Sequence, residues 1–294
     1  MILPEDVRVI FKLIKSNPVS MAGLVIVAGF LFVGLLAPFL TPYPQDAWGD
    51  VYHLEQRFQP PSPAHPFGTD EMGRDVFSRV ILGARFSLMI AVGVVGLALI
   101  IGIPVGLIAG YLGGKTGTAL MRITDMFLAF PPLLLAIALA ATLGRGLTNT
   151  IIALAISWWP WYARLVYVQV TSIKTLPYVD AARIVGVHPL AIMFRHILPN
   201  ALTPVTVQAA LDMGSAILEA AGLSFLGVGV TPPTPEWGLL VTEGWSSINI
   251  AWWISLFPGL AILITVLGFN LLADAVREAG DPRLRRILIV GRKI

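Results

Sequence analysis

Four polar side chains interrupt an otherwise apolar stretch: Gln208, Asp212, Ser215 and Glu219. Their spacing puts them on one face of a helix. Acids inside an apolar helix are costly unless they face a bundle interior or a wet cavity. The stripe therefore reads as the lining of a transport pathway or a subunit interface. Plain hydrogen bonding to neighbouring helices is the alternative, and Glu219 near a surface would cost little. A second candidate is "AGYLGGKTG", residues 109–117, which imitates a phosphate-binding loop with Ala109 in place of the first glycine. Such a loop works when a strand delivers a glycine-rich turn onto a helix N-terminus. Here a long apolar run precedes it and another soon follows. A tight turn between two helices is the expectation, with glycines supplying positive φ.

Other chemistry has little support. The absence of cysteine excludes disulfides, thiolate metal sites and a Cys nucleophile. His53, His65, His188 and His196 all fall in segments expected to be loops, so no Ser/His pair is placed within an apolar run. No His-Glu-x-x-His run occurs. An ion-coupled secondary transporter would have Asp212 and Glu219 as its acids. No inverted repeat is evident.

Composition supplies the setting. The 294 residues are 56% hydrophobic and 13% charged, where soluble domains are about 25% charged. Six runs reach the roughly 20 apolar residues needed to cross a bilayer. They are 19–40, 86–111, 123–143, 150–170, 201–223 and 252–272. The first is too long for a cleaved signal and lacks a cleavage site. With the N-terminus inside, basic residues concentrate in the inner segments: Arg8, Lys12 and Lys15, then Lys115 and Arg122, then Lys174, Arg183 and Arg195, then the tail from Arg277 to Lys293. The outer segments hold only Arg57, Arg74, Arg79, Arg85 and Arg145. Both termini are thus expected in the cytoplasm. The chain divides into 1–85 (first span and outer loop), 86–280 (a five-span core) and 281–294 (a basic tail).

Two loops carry further pattern. In 41–85, Thr69 or Asp70 could cap a helix with acids in its first turn, and Phe77, Val80, Ile81, Ala84 and Leu88 follow at helical spacing. Asp75 and Arg79 are placed to pair. This reads as an amphipathic helix on the outer surface, or equally as ordinary packing against the bundle. In "LPYVDAARIVGVHPLAIMFRHILPN", residues 176–200, a helix should open at Val179 or Asp180. Gly186 should interrupt it, Pro189 should restart it and Pro199 should end it. Leu190, Ile192, Met193, Phe194 and Ile197 are too apolar for a solvated turn, which suggests docking to a partner, with a re-entrant or surface-lying helix as the alternative. Pro160 in "SWWPWYARL" should kink the fourth span. Trp158, Trp159 and Trp161 could form an interfacial belt or a gate, and the belt is the better reading. Pro104, Pro131 and Pro132 mark further bends. "TPPTPEWG", residues 231–238, is too proline-rich for a regular helix.

The 176–200 loop resembles the "EAA" loop of ABC-importer permease subunits through Asp180, Ala181, Ala182, Gly186, His196, Leu198 and Pro199. Asp180 stands where that pattern has Glu, and His196 where it has Ile. "FGTDEMGRDVFSRVILGARFSL", "NPVSMAGLVIVAGFLFVGLLAPFLTPY", "GVGVTPPTPEWG" and residues 257–270 resemble the second permease subunit of dipeptide, oligopeptide and nickel importers. The resemblance implies an all-α, six-helix type I importer permease in a prokaryotic cell membrane. It implies a non-catalytic subunit whose partners are a second permease, two ATPase subunits that bind ATP and magnesium, and an external solute-binding protein; nucleic acid is not among them. It makes Asp180–Pro199, with Pro189, Leu190 and Phe194, the ATPase-coupling helix. Peptides are the expected cargo, with short oligosaccharides or nickel as alternatives.

Overall fold

The computed structural model describes residues 17–49 and 51–280, with side chains through Asp274. The basic residues expected at the two ends, Arg8, Lys12, Lys15 and the 281–294 tail, lie outside the described residues. No strand forms among the described residues, and one isolated bridge pairs Thr69 with Asp75. Ten helical segments matter here. They are α1 Pro18–Leu40, α2 Pro44–Trp48, α3 Val76–Leu112, α4 Gly114–Leu128, α5 Pro132–Leu143, α6 Leu147–Ile173, α7 Pro177–Ile184, α8 Pro189–Phe225, α9 Trp237–Trp245 and α10 Trp253–Gly280. Five helices (α1, α3, α6, α8, α10) are long and apolar enough to cross a membrane, and α4 with α5 supplies a sixth, bent crossing. The described residues thus have the expected all-helical architecture, with six spans when the bent pair is counted as one.

Helix α3 is much longer than the sequence reading. Asp75, not Thr69 or Asp70, is its N-cap and accepts from the Ser78 N–H at 2.7 Å. The expected Asp75–Arg79 pair does not form. Asp75 also binds His65 Nδ1 at 2.9 Å, and Arg79 turns to Asp70 and Glu243. At 37 residues, α3 is about 55 Å long, well over a hydrocarbon core of about 30 Å. Its first turns are buried under the 41–75 loop and α9, so packing against the bundle prevails over a helix lying on the surface. The division drawn after residue 85 falls inside this helix.

The third crossing is not straight. Between α4 and α5 the chain bends by 85°. Pro132 begins α5 and Pro131 stands before it in an extended conformation, because a residue preceding proline is driven out of the α region. The nucleotide-loop imitation resolves into the turn joining α3 to α4, with Gly113 at φ +61° and Gly114 at φ +52°. Pro160 sits within α6, which continues through it as one helix.

The main core lies where α3 crosses α6 and α8. Gly102, Gly106 and Gly110 form a small-residue stripe that lets α3 approach α6 closely. A Cβ on Gly106 would stand 2.4 Å from the Ala163 carbonyl oxygen, whereas Gly96 has nothing within 4 Å. Gly106→Ala is therefore expected to destabilise the protein by about 1–3 kcal/mol, and Gly96→Ala to leave it unchanged or slightly firmer. Apparent unfolding midpoints of the two variants in detergent test this; equal midpoints would refute it.

Candidate functional site

The polar stripe does come together. Gln208, Asp212, Ser215 and Glu219 all line one cavity of about 340 Å³, with Ser157, Trp158, Trp161 and Tyr162 from α6 opposite and Leu128 and Pro132 at the α4–α5 break. The α6 and α8 helices are antiparallel, so partners step in opposite directions along them. Trp158 Nε1 donates to Glu219 Oε2 at 3.0 Å, and Tyr162 O–H donates to Asp212 Oδ2 at 2.6 Å. One turn along α8, Gln208 Nε2 donates to Asp212 Oδ1 at 2.8 Å. These bonds orient both carboxyl groups at the cavity wall and fix the aromatic rings that supply them.

The tryptophan belt is not what forms. Trp158 and Trp159 are buried, and Trp161 is 54% exposed at the cavity rim. An indole N–H placed among helices needs an acceptor, and Glu219 supplies one for Trp158. Trp159 packs edge-on against Phe127, with centroids 5.3 Å apart. Deeper in α6, Arg164 pairs with Asp125 of α4.

The second candidate is the corner between α7 and α8. Helix α7 begins at Pro177, two residues before the expected start, because proline suits a first helical position. It ends as predicted at Gly186, whose φ is +78°. The Gly186 N–H donates to the Arg183 carbonyl and the Val187 N–H to the Ala182 carbonyl, each at 3.0 Å. That pair of bonds closes a Schellman turn. His188 accepts from the Leu190 N–H and caps the restart at Pro189. Pro199 does not end the helix. Residues 192–197 take a wider, π-type register in which the Leu198 N–H reaches back to the Met193 carbonyl. A widened turn relieves the ring–carbonyl clash by which proline breaks a helix. So α8 runs unbroken from the corner to the cavity, and His196 lies in it rather than in a loop.

Within this corner Val179, Ala182, Ile192, Met193 and Ile197 point inward and are buried. Asp180 and Ala181 face outward, with Asp180 paired to Arg183 at 2.7 Å. Leu198 and Pro199 are half-buried. Pro189 is exposed, and Leu190 and Phe194 are each 57% exposed. Ile184 and Val185, at 85% and 77%, are further exposed apolar side chains of this corner. The sequence reading passed over these two. Their place in the last turn before Gly186 was the available signal. Tyr178 O–H and Asn200 Nδ2 both donate to the His196 carbonyl and brace α7 against α8.

At the opposite face, "TPPTPEWG" remains irregular up to Glu236, which caps α9 by accepting from the Gly238 and Leu239 N–H groups at 2.9 and 3.0 Å. Glu236 is fully buried in the segment between the fifth and sixth crossings. Burial pushes its carboxyl above the usual carboxylate range, partly offset by those N–H groups and by Ser224. A folded pKa raised above the unfolded one contributes stability at low pH that is lost as pH rises from the ordinary glutamate value through the folded one. The midpoint of wild type is therefore expected to fall relative to Glu236→Gln as pH rises above that ordinary value. A pH-independent difference between the two would overturn the assignment. Among the described residues no group of three possible metal ligands occurs.

Comparisons with known proteins agree with this architecture. Residues 102–286, more than half of the chain, match the family described as binding-protein-dependent transport system inner membrane component. Residues 7–61 match the N-terminal TM domain of oligopeptide transport permease C. The chain is 44% identical over 278 residues to a dipeptide transport system permease protein of Alkalihalophilus pseudofirmus, covering 95% of this chain and 90% of that protein. It is 42% identical over 287 residues to a di/tripeptide transport system permease protein of Pseudomonas aeruginosa, covering 97% and 95%. It is 43% identical over 267 residues to a glutathione transport system permease protein of Pectobacterium atrosepticum, covering 89% and 88%. The chain belongs to the binding-protein-dependent inner-membrane permeases of ABC importers, in their dipeptide and oligopeptide branch.

Proposed function

We infer that this chain forms half of the translocation pathway of an ATP-driven peptide importer. A second permease would complete the pathway, two ATPases would dock at the α7–α8 corner, and an external binding protein would deliver cargo at the 41–75 face. Both termini would be cytoplasmic, as the distribution of basic residues expects. One observation carries this reading: α8 is a single helix with exposed apolar Leu190 and Phe194 at one end and the cavity residues Gln208, Asp212, Ser215 and Glu219 along its middle. A push at the corner would reach the cavity through a rigid rod, which suits a rocking transporter. Catalysis of ATP hydrolysis would belong to the partner subunits, with ATP and magnesium. The named cargoes of the relatives, dipeptides, di/tripeptides and glutathione, support peptides here.

The test is gentle extraction of the tagged chain followed by reconstitution. Co-purification of a second permease and ATPases, with peptide uptake that needs ATP and the binding protein, is the expected result. A chain that purifies alone and moves solute without ATP would overturn the reading. Asp212 and Glu219 would then be tested as an ion site.

A further inference from the structure

The α6–α8 cavity has an asymmetry of chemistry that the importer reading leaves unused. Its described lining includes two acids and no basic residue. Its α6 wall is aromatic: Trp158, Trp161 and Tyr162. Both carboxyl groups are held in place by donors from these walls, at 3.0 Å for Glu219 and 2.6 Å for Asp212. A carboxylate has several acceptor sites, and the Trp158 bond takes one of those of Glu219. Carboxyl groups lining the same cavity as aromatic rings suit a compact cation: carboxylates supply charge-assisted hydrogen bonds and aromatic rings supply cation–π attraction. An anionic cargo group would meet like charge in a low-dielectric wall instead.

We propose that this cavity selects cargo by its ammonium group, with Asp212 and Glu219 as successive acceptors and Trp158, Trp161 and Tyr162 as the flanking walls. The inference rests on the importer reading and deepens it, for it places a filter in the permease as well as in the delivering protein. Asp212 and Glu219 lie two turns apart on α8, a rise of about 10 Å. That is close to the length of a small peptide, so an ammonium leaving one carboxylate comes within reach of the next as the cargo advances. Tyr162 and Gln208 are positioning residues, since they act by aiming Asp212.

The experiment uses the assembled permease–ATPase complex in nanodiscs, without binding protein, and reads tryptophan fluorescence, since Trp158 and Trp161 border the site. Three probes are titrated: alanyl-alanine, its des-amino analogue propionyl-alanine, and propionyl-lysine, whose only ammonium is on the side chain. Alanyl-alanine is expected to bind about tenfold or more tighter than propionyl-alanine, the scale of a hydrogen bond to a charged group. If propionyl-lysine matches it, any ammonium serves; if not, the peptide's own amino end is read. Glu219→Gln keeps the volume and an acceptor oxygen for Trp158 and so preserves the wall. It is expected to shrink the ratio, and Asp212→Asn with Glu219→Gln to abolish it. A merely structural role would weaken all three probes alike. Equal binding of alanyl-alanine and propionyl-alanine to wild type, or a ratio unmoved in the double variant, overturns the proposal. Uptake by the same complex with binding protein and ATP is measured in parallel. Intact ATP-driven uptake beside a failed ratio removes only the ammonium filter. Absent uptake removes the importer reading and the filter with it.

Discussion

Replacing Leu190 and Phe194 together by aspartate is expected to abolish ATP-driven uptake while leaving the chain folded. Both side chains are 57% exposed, so within this chain they bury little and their loss costs little. Surface changes of this kind stay within about 0.5 kcal/mol. An apolar side chain seated in a partner's cleft behaves differently, since anchors of this sort are worth about 2 kcal/mol or more each. Two aspartates also bring unpaired charge into the contact. ATPase binding should fall by more than about a hundredfold, and uptake with it, while the unfolding midpoint of the isolated permease stays within about a degree or two of wild type. Co-purification of the ATPases and a detergent melt are the two measurements. Retained ATPases would show that the corner is not the docking element. A collapsed melt would show that these side chains hold the permease together.

The corner between α7 and α8 was legible because its signals are local. Gly186 and Pro189 each act on their own backbone, and the structure has the positive φ and the fresh helix start that those residues demand. Pro199 misled because its cost depends on the register around it, and a π-type turn at 192–197 is set by packing that no local pattern announces. The polar stripe was legible as a face, since helical spacing fixes which residues align. What it faced was not. The meeting of Trp158 with Glu219 and of Tyr162 with Asp212 depends on the relative register of α6 and α8, a tertiary fact. That is also why Trp158 and Trp159 resembled a belt: their composition suits an interface, and only the crossing of helices buries them. The spacing of Gly102, Gly106 and Gly110 was a signal of close packing that the sequence reading did not take up. The length of α3 was hidden because hydropathy sees the apolar run from Phe86 and misses ten more helical residues capped by Asp75 and buried under a loop.

Those hidden turns carry the largest expected effect on stability. Arg79 is 1% exposed, and its Nη1 donates to Asp70 Oδ2 at 2.8 Å and to Glu243 Oε2 at 2.7 Å. Arg74 Nε reaches the same Asp70 oxygen at 2.7 Å, and its Nη2 lies 3.6 Å from Glu243. The four charges balance, and they join the 41–75 loop, the start of α3 and helix α9. Arg79→Leu would leave the buried carboxylate of Asp70 and the partly buried one of Glu243 sharing Arg74 alone. Removing one partner of a buried pair costs about 3–5 kcal/mol, which for a chain of this size lowers the midpoint by roughly 10 °C. The pair itself need not be a net stabiliser, because Arg79 pays its own desolvation: its Nε and Nη2 have no hydrogen-bond partner among the described residues. Arg79→Leu combined with Glu243→Met should therefore recover much of what the single change loses, leaving Asp70 and Arg74 to satisfy each other. A thermal melt of wild type, both single variants and the double variant closes the cycle. If the losses simply add, the charges act independently and α9 is held to the start of α3 by apolar contacts. A double variant more stable than either single one would show that α9 is fastened by the coupling of these charges.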